Sequence, residues 1–178
     1  MRSRLAALLF AFSLSPALAQ HAGHGGHSPA GLAPYAGQQT REAAGLDAAE
    51  AADLRAGRGM GFALPAELNG YPGPMHVLEL ADRLALDPAQ RARMEALRAA
   101  MLAEARPLGE ALIAAERALD EVFRGGTATV AEVDAATEAA ALARGRVRAA
   151  HLRVHLATRD ALTPQQRAAY ARLRGYAP

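Results

Sequence analysis

Apolar residues step by threes and fours through two long stretches of this chain. Between residues 88 and 123, Met94, Leu97, Met101, Ala105, Leu108, Leu112, Ala115, Leu119 and Val122 fall on one stripe. Between residues 130 and 161, Val133, Ala136, Ala140, Ala143, Val147, Ala150, Val154 and Ala157 fall on another. That spacing predicts two amphipathic helices of more than thirty residues, each about 50 Å long. Gly125-Gly126 separates them, and so short a connection makes them antiparallel neighbours. Pro107 falls inside the first and should bend it, because proline removes a hydrogen bond to the preceding turn. Shorter helices are predicted over 75–85 and 164–174, and another over 46–55 with Asp47 as its N-cap. Near its C-terminal end the second long helix is apolar on two sides, Val147 and Val154 on one, Leu152 and Leu156 on the other. One hairpin cannot bury both, so a homodimer is the first expectation, with folded-back short helices or a client as other covers.

An internal repeat defines the corners of this architecture. Residues 85–98 (ALDPAQRARMEALR) and 161–174 (ALTPQQRAAYARLR) agree at eight of fourteen positions with a constant offset of 76. Each copy holds a helix-start device: Leu86, Asp87, Pro88 and Gln90 in the first, Leu162, Thr163, Pro164 and Gln166 in the second. Asp87 or Thr163 can accept from free backbone N–H groups as N-cap. Pro88 or Pro164 sits at the first helical position, where a missing N–H costs nothing, and Gln90 or Gln166 can close a capping box. Thr129 and Glu132 repeat the capping box before the second long helix.

The first 19 residues carry Arg2 and Arg4, an apolar run from Leu5 to Leu14, and Ala17-Leu18-Ala19. This is the pattern of a cleavable signal peptide and implies export. Residues 20–45 (Gly, His, Ala, Pro and Gln without a period) are expected to be disordered. Residues 46–74 are expected to hold the short helix and a Gly/Pro-punctuated loop, and 75–178 to form the helical domain. The sequence has no Cys and no Trp, which excludes disulfides and thiolate metal sites and suits helix-on-helix packing better than an enzyme core. Charge is segregated. Residues 42–138 hold 17 acids and 9 Arg, while 144–178 hold 8 Arg and one acid, Asp160. Interhelical salt bridges are the simplest use of such polarity, with Glu104, Glu110, Glu116 and Asp120 facing Arg144, Arg146 and Arg148.

The signal peptide, the long hairpin and the two L-(T/D)-P-x-Q corners resemble the Spy/CpxP family of periplasmic proteins. Leu162–Gln166 carries the LTxxQ signature in full, and Leu86–Gln90 carries it with Asp for Thr. The resemblance covers roughly 75–175. It implies an all-α fold, a long antiparallel helical hairpin with short hooked helices at both ends, usually dimeric and periplasmic. It also implies a non-enzymatic role in binding: an ATP-independent chaperone for unfolded envelope proteins, a modulator of a membrane-bound signalling protein, or a heavy-metal sensor or resistance protein.

No cofactor is required by anything in the chain, but histidines leave room for a divalent transition metal (Cu, Zn, Ni or Co). His21, His24 and His27 form HxxHxxH in the tail. His151 and His155 are one turn apart on the second long helix and can reach one metal, with His76, Glu79 or Met75 completing the site if their helix folds beside them. The resemblance implies that metal-sensing relatives draw ligands from these two regions. No nucleophile elbow, zincin motif or isolated carboxylate cluster is present, so no enzyme is expected. Nucleic acid is not expected as a partner, given export and a basic stretch with little aromatic interleaving.

Overall fold

The computed structural model describes residues 33–177. Residues 1–19, expected to be a signal peptide, and His21, His24 and His27 lie outside the described residues. Six helices follow in order: α1 (Ala48–Ala56), α2 (Leu64–Glu67), α3 (Pro74–Glu79), α4 (Pro88–Arg124), α5 (Val130–Asp160) and α6 (Pro164–Leu173). The fold is all-α, and α4 and α5 are the two arms of the long hairpin. No described helix is long and apolar enough to cross a membrane.

Helix starts follow the local chemistry of the sequence. Asp47, Asp87, Thr129 and Thr163 each accept from the backbone N–H three residues on, and the side chain of that residue returns to the cap's own N–H. Both apolar stripes face inward: Met94, Ala105 and Leu112 on α4, and Ala140, Val147, Ala150 and Val154 on α5 are buried. Helix α4 runs unbroken through Pro107. Burial thins toward the hairpin's turn. No residue from 114 to 139 is buried, and Phe123 and Val130 are largely exposed.

Two separate cores sit along the hairpin. At its middle, Ala43, Leu46, Ala51 and Leu54 pack on Leu112, Ile113 and Val147. At its open end, Val77, Ala81, Leu84, Leu86, Met94, Leu162 and Tyr170 pack together. Helix α1 lies close against α4 because Gly109 has no side chain; a Cβ there would collide with the Leu54 backbone carbonyl.

Two expectations need correction. Residues 37–45 fell within the stretch expected to be disordered, yet they pack on the hairpin. Ala43 and Leu46 are buried, Glu42 pairs with Arg55 (2.5 Å) and Arg117, and the Ala44 N–H donates to Asp120 (2.6 Å). A few apolar and charged groups suffice where a ready apolar face exists, and composition does not see that face. The stretch 57–74 is mostly loop, as expected, and contains the single-turn helix α2. The helix expected over 75–85 stops at Glu79, and turns carry the chain to Ala85, whose φ of 48° is left-handed. That costs an L-residue about 1 kcal/mol and reverses the chain so that Leu84 and Leu86 both enter the core.

Of the expected interhelical pairs, Arg144–Glu116 forms (3.4 Å). The other three acids found partners elsewhere: Glu104 pairs with Arg153, Glu110 with Arg55, and Asp120 with the Ala44 N–H. Among the described residues, Arg146 and Arg148 form no ion pair.

Candidate functional site

The open end of the hairpin gathers the chemistry of the chain. Its centre is the pair of glutamines from the repeat. Gln90 Nε2 donates to Gln166 Oε1 and Gln166 Nε2 donates to Gln90 Oε1, both at 2.9 Å. Each amide also gives its second N–H to a carbonyl of the other corner, Gln90 to Ala161 (3.1 Å) and Gln166 to Leu84 (3.3 Å). Each Oε1 still accepts from its own N-cap, Asp87 N (3.3 Å) or Thr163 N (2.9 Å). Every donor of both amides is therefore used. The repeat gives each corner a residue that starts its own helix and grips the other corner. Matched arginines secure the turns before each corner: Arg91 donates to Asp82 (2.5 Å), and Arg167 to the carbonyls of Leu162 (2.7 Å) and Arg159 (3.3 Å).

This mutual grip gives a double-mutant prediction. Gln90→Ala and Gln166→Ala should each destabilise by about 1–2 kcal/mol, and the double variant by less than their sum. Each single change already orphans the other amide. Urea denaturation of the four-member cycle measures the difference, and strict additivity would mean that the two glutamines act alone.

Beside this clasp lies a buried carboxylate that no periodicity or motif marks. Glu67, at the end of α2, is only 6% exposed. Its Oε1 accepts from Tyr170 OH of α6 and from His76 Nδ1 of α3 (2.6 Å), and its Oε2 accepts from the Gly73 N–H (3.2 Å). His155 of α5 lies 3.8 Å from Oε2 and donates from Nδ1 to the Tyr71 carbonyl (2.7 Å). Gly73 leaves the space that the His155 ring occupies. One carboxylate thus ties α2, α3, α5 and α6 together. Burial, and then the hydrogen bond to Glu67, push the Tyr170 hydroxyl well above the ordinary tyrosine range.

A signal for this hub existed in the repeat. Tyr170 occupies the position matched to Met94, and both are buried. Exchanging a thioether for a phenol inside a core calls for an acceptor. Glu67 is the one acid in the Gly/Pro-rich stretch 57–74.

The three histidines of the folded part do not converge. His76 and His155 meet at Glu67. His151 is buried apart from them, its Nδ1 3.0 Å from the Val147 carbonyl, its Nε2 3.3 Å from the Gly57 carbonyl, and its ring against Phe62. A neutral imidazole can donate to only one of those carbonyls. Among the described residues, no three His, Asp or Glu side chains are arranged to hold a metal ion. The Glu67 oxygens are already engaged by a phenol, an imidazole and a backbone N–H, so the residues present form a hydrogen-bonded hub rather than a ligand set.

A shallow, open groove runs between α2 and α5, lined by Pro65, Ala66, Tyr71, Ala149, Leu152 and Leu156, with Arg153 at its side. Leu64 and Leu68, one turn apart on α2, are each more than half exposed, as is Leu156; Met75 is 47% exposed.

The site is a helical hairpin closed at one end by reciprocal glutamine caps. Residues 74–174 match the LTXXQ motif family, and the chain belongs to this family, the Spy/CpxP-like group of periplasmic proteins. The match runs from α3 through α6, so α1, α2 and Glu67 lie outside it. No curated protein and no solved structure shows significant similarity to the chain. Members of the family are generally non-enzymatic, with envelope-stress or metal-related roles.

Proposed function

We propose that this is a non-enzymatic periplasmic stress protein of the Spy/CpxP type that holds unfolded envelope proteins without ATP. The observation that carries the reading is the apolar face of α2. Leu64 and Leu68 stand exposed side by side, Met75 is half exposed on α3, and charged side chains such as Arg153 lie nearby. A monomeric protein without a partner for such a face would be expected to bury it. Shallow apolar ground edged by arginine suits a non-native chain, which offers apolar segments of no fixed shape. The signal-peptide pattern of residues 1–19 is the route by which such a protein would meet its clients.

The test is aggregation of a chemically denatured client diluted into buffer without nucleotide. Near-stoichiometric protein should suppress light scattering. The Leu64→Ser/Leu68→Ser variant should keep its helicity and need roughly tenfold more protein for half suppression, the effect of removing two partly buried leucines from a complex. Absence of suppression by the unaltered protein would sink the proposal.

A further inference from the structure

Helix α5 presents a second face that the folded chain does not cover. Leu142, Ala149, Leu152 and Leu156 recur at helical spacing along it, away from the buried stripe of Val147, Ala150 and Val154. Leu142 is 57% and Leu156 54% exposed. Arginines edge this strip on both sides. At about 100° per residue, Arg146 and Arg153 stand on one flank and Arg148 and Arg159 on the other. From residue 139 to residue 159 the helix carries five arginines and no acid. Arg146 and Arg148 are exposed and form no ion pair among the described residues. Arg159 stacks over the Tyr71 ring, 4.6 Å from its centroid, and Arg153 reaches Glu104 of α4. Across the shallow groove lies α2, whose Leu64 and Leu68 are exposed and whose one acid, Glu67, is buried.

Charge selects the occupant. Acyl chains accept leucines without demanding a matching shape, and phosphate diesters accept guanidinium N–H groups. A helix that is apolar along its middle and cationic along both edges lies flat at the boundary between the two. A second copy of this face would bring the same arginines and no acid between 139 and 159. An acidic polypeptide would answer the arginines but not the leucines between them. An anionic bilayer answers both. The family is periplasmic, which places bilayer surfaces within reach of its members.

We infer that the arginine-edged face of α5 binds the surface of a bilayer carrying anionic phospholipid headgroups. Leu152 and Leu156 enter the boundary between headgroups and acyl chains, and Arg146, Arg148, Arg153 and Arg159 reach outward along their own stems to the phosphates. Glu104, beside Arg153, and Asp160, just past Leu156, are the acids nearest this face, and the four arginines outnumber them. The inference gives the protein a place of work and does not rest on its being a chaperone.

Co-sedimentation with lipid vesicles tests it. The chain used is residues 20–178, since the apolar run from Leu5 to Leu14 would enter bilayers by itself. It should bind phosphatidylcholine vesicles containing about one-third phosphatidylglycerol at least about tenfold more tightly than phosphatidylcholine alone, and should come off as salt rises from about 50 mM to about 500 mM. Arg146→Gln/Arg148→Gln should weaken binding about thirtyfold, and Leu156→Ser about fivefold. Both should keep full helicity by circular dichroism, because neither alters a buried side chain. Arg106→Gln/Arg124→Gln removes equal charge from α4, beside Gly57 and at the far turn. That control should cost less than about threefold. An equal loss in the control would mean attraction by net charge alone and overturn the inference. So would failure to bind the anionic vesicles, or binding of soluble polyglutamate in their place. The Arg146→Gln/Arg148→Gln variant should still suppress client aggregation, and Leu64→Ser/Leu68→Ser reports on clients, so the two readings fail independently.

Discussion

Glu67→Ala should lower the thermal midpoint of the protein by roughly 10 °C. The side chain is buried and accepts from Tyr170, His76 and Gly73 at once. Alanine removes the acceptor and leaves three polar groups facing each other in a space closed to water. Breaking a buried, multiply bonded charge costs about 3–5 kcal/mol, and for a chain of this size each kcal/mol moves the midpoint by about 2–4 °C. Glu67→Gln should cost less, since its amide oxygen can still accept from Tyr170. Differential scanning calorimetry of both variants decides the matter. A loss below about 1 kcal/mol for Glu67→Ala would mean that the hub does not hold the four helices. Because Tyr170 closes the C-terminal helix onto Glu67, the loss should appear first as weakened amide protection in α6, measured by hydrogen exchange.

Gly109→Ala should destabilise the protein although helix propensity predicts the reverse. In an exposed helix interior the exchange gains about 1 kcal/mol. Here the new methyl group would collide with the Leu54 carbonyl. The neighbour is backbone and cannot rotate away, so α1 must move off α4. That loosens the core of Ala43, Leu46, Ala51 and Leu54. Overpacking of this kind costs about 1–3 kcal/mol, which outweighs the propensity gain. The expected signature is local: amides of 48–56 lose protection while those around the glutamine clasp keep theirs. A stabilised variant with α1 still protected would show that α1 does not lie where it is described.

What could be read from the sequence was what local chemistry decides. The three expected capping boxes need only residues three apart, and all three form, while the Asp47 N-cap adds a fourth through Glu50. The two long stripes need only periodicity, and both face inward. What escaped were contacts whose partners are far apart in the chain. Nothing local says that Gln90 will find Gln166, though their identical setting in the repeat was visible. Helix α2 is four residues long and too short for any period to reveal it. No local pattern marks Glu67, because its partners lie on helices 9 to 103 residues away. His151 and His155 share a helix face, yet the loops that reach them differ: Gly57 and Phe62 for one, Tyr71 and Gly73 for the other. Helical spacing alone brings two imidazoles side by side, and the packing of preceding loops decides whether they act together.

The bare end of the hairpin has a mechanical consequence. With no buried residue between 114 and 139, that stretch is held by a few polar contacts, Arg117 to Glu42, Glu116 to Arg144 and Asp120 to the Ala44 N–H, and by the cores and the clasp behind it. Helix α4 has 37 residues, a rod of about 55 Å. A rotation of one degree at the clasp displaces the far turn by about 1 Å. Phe123 and Val130 are therefore the positions at which any tilt of the hairpin at the clasp would be largest.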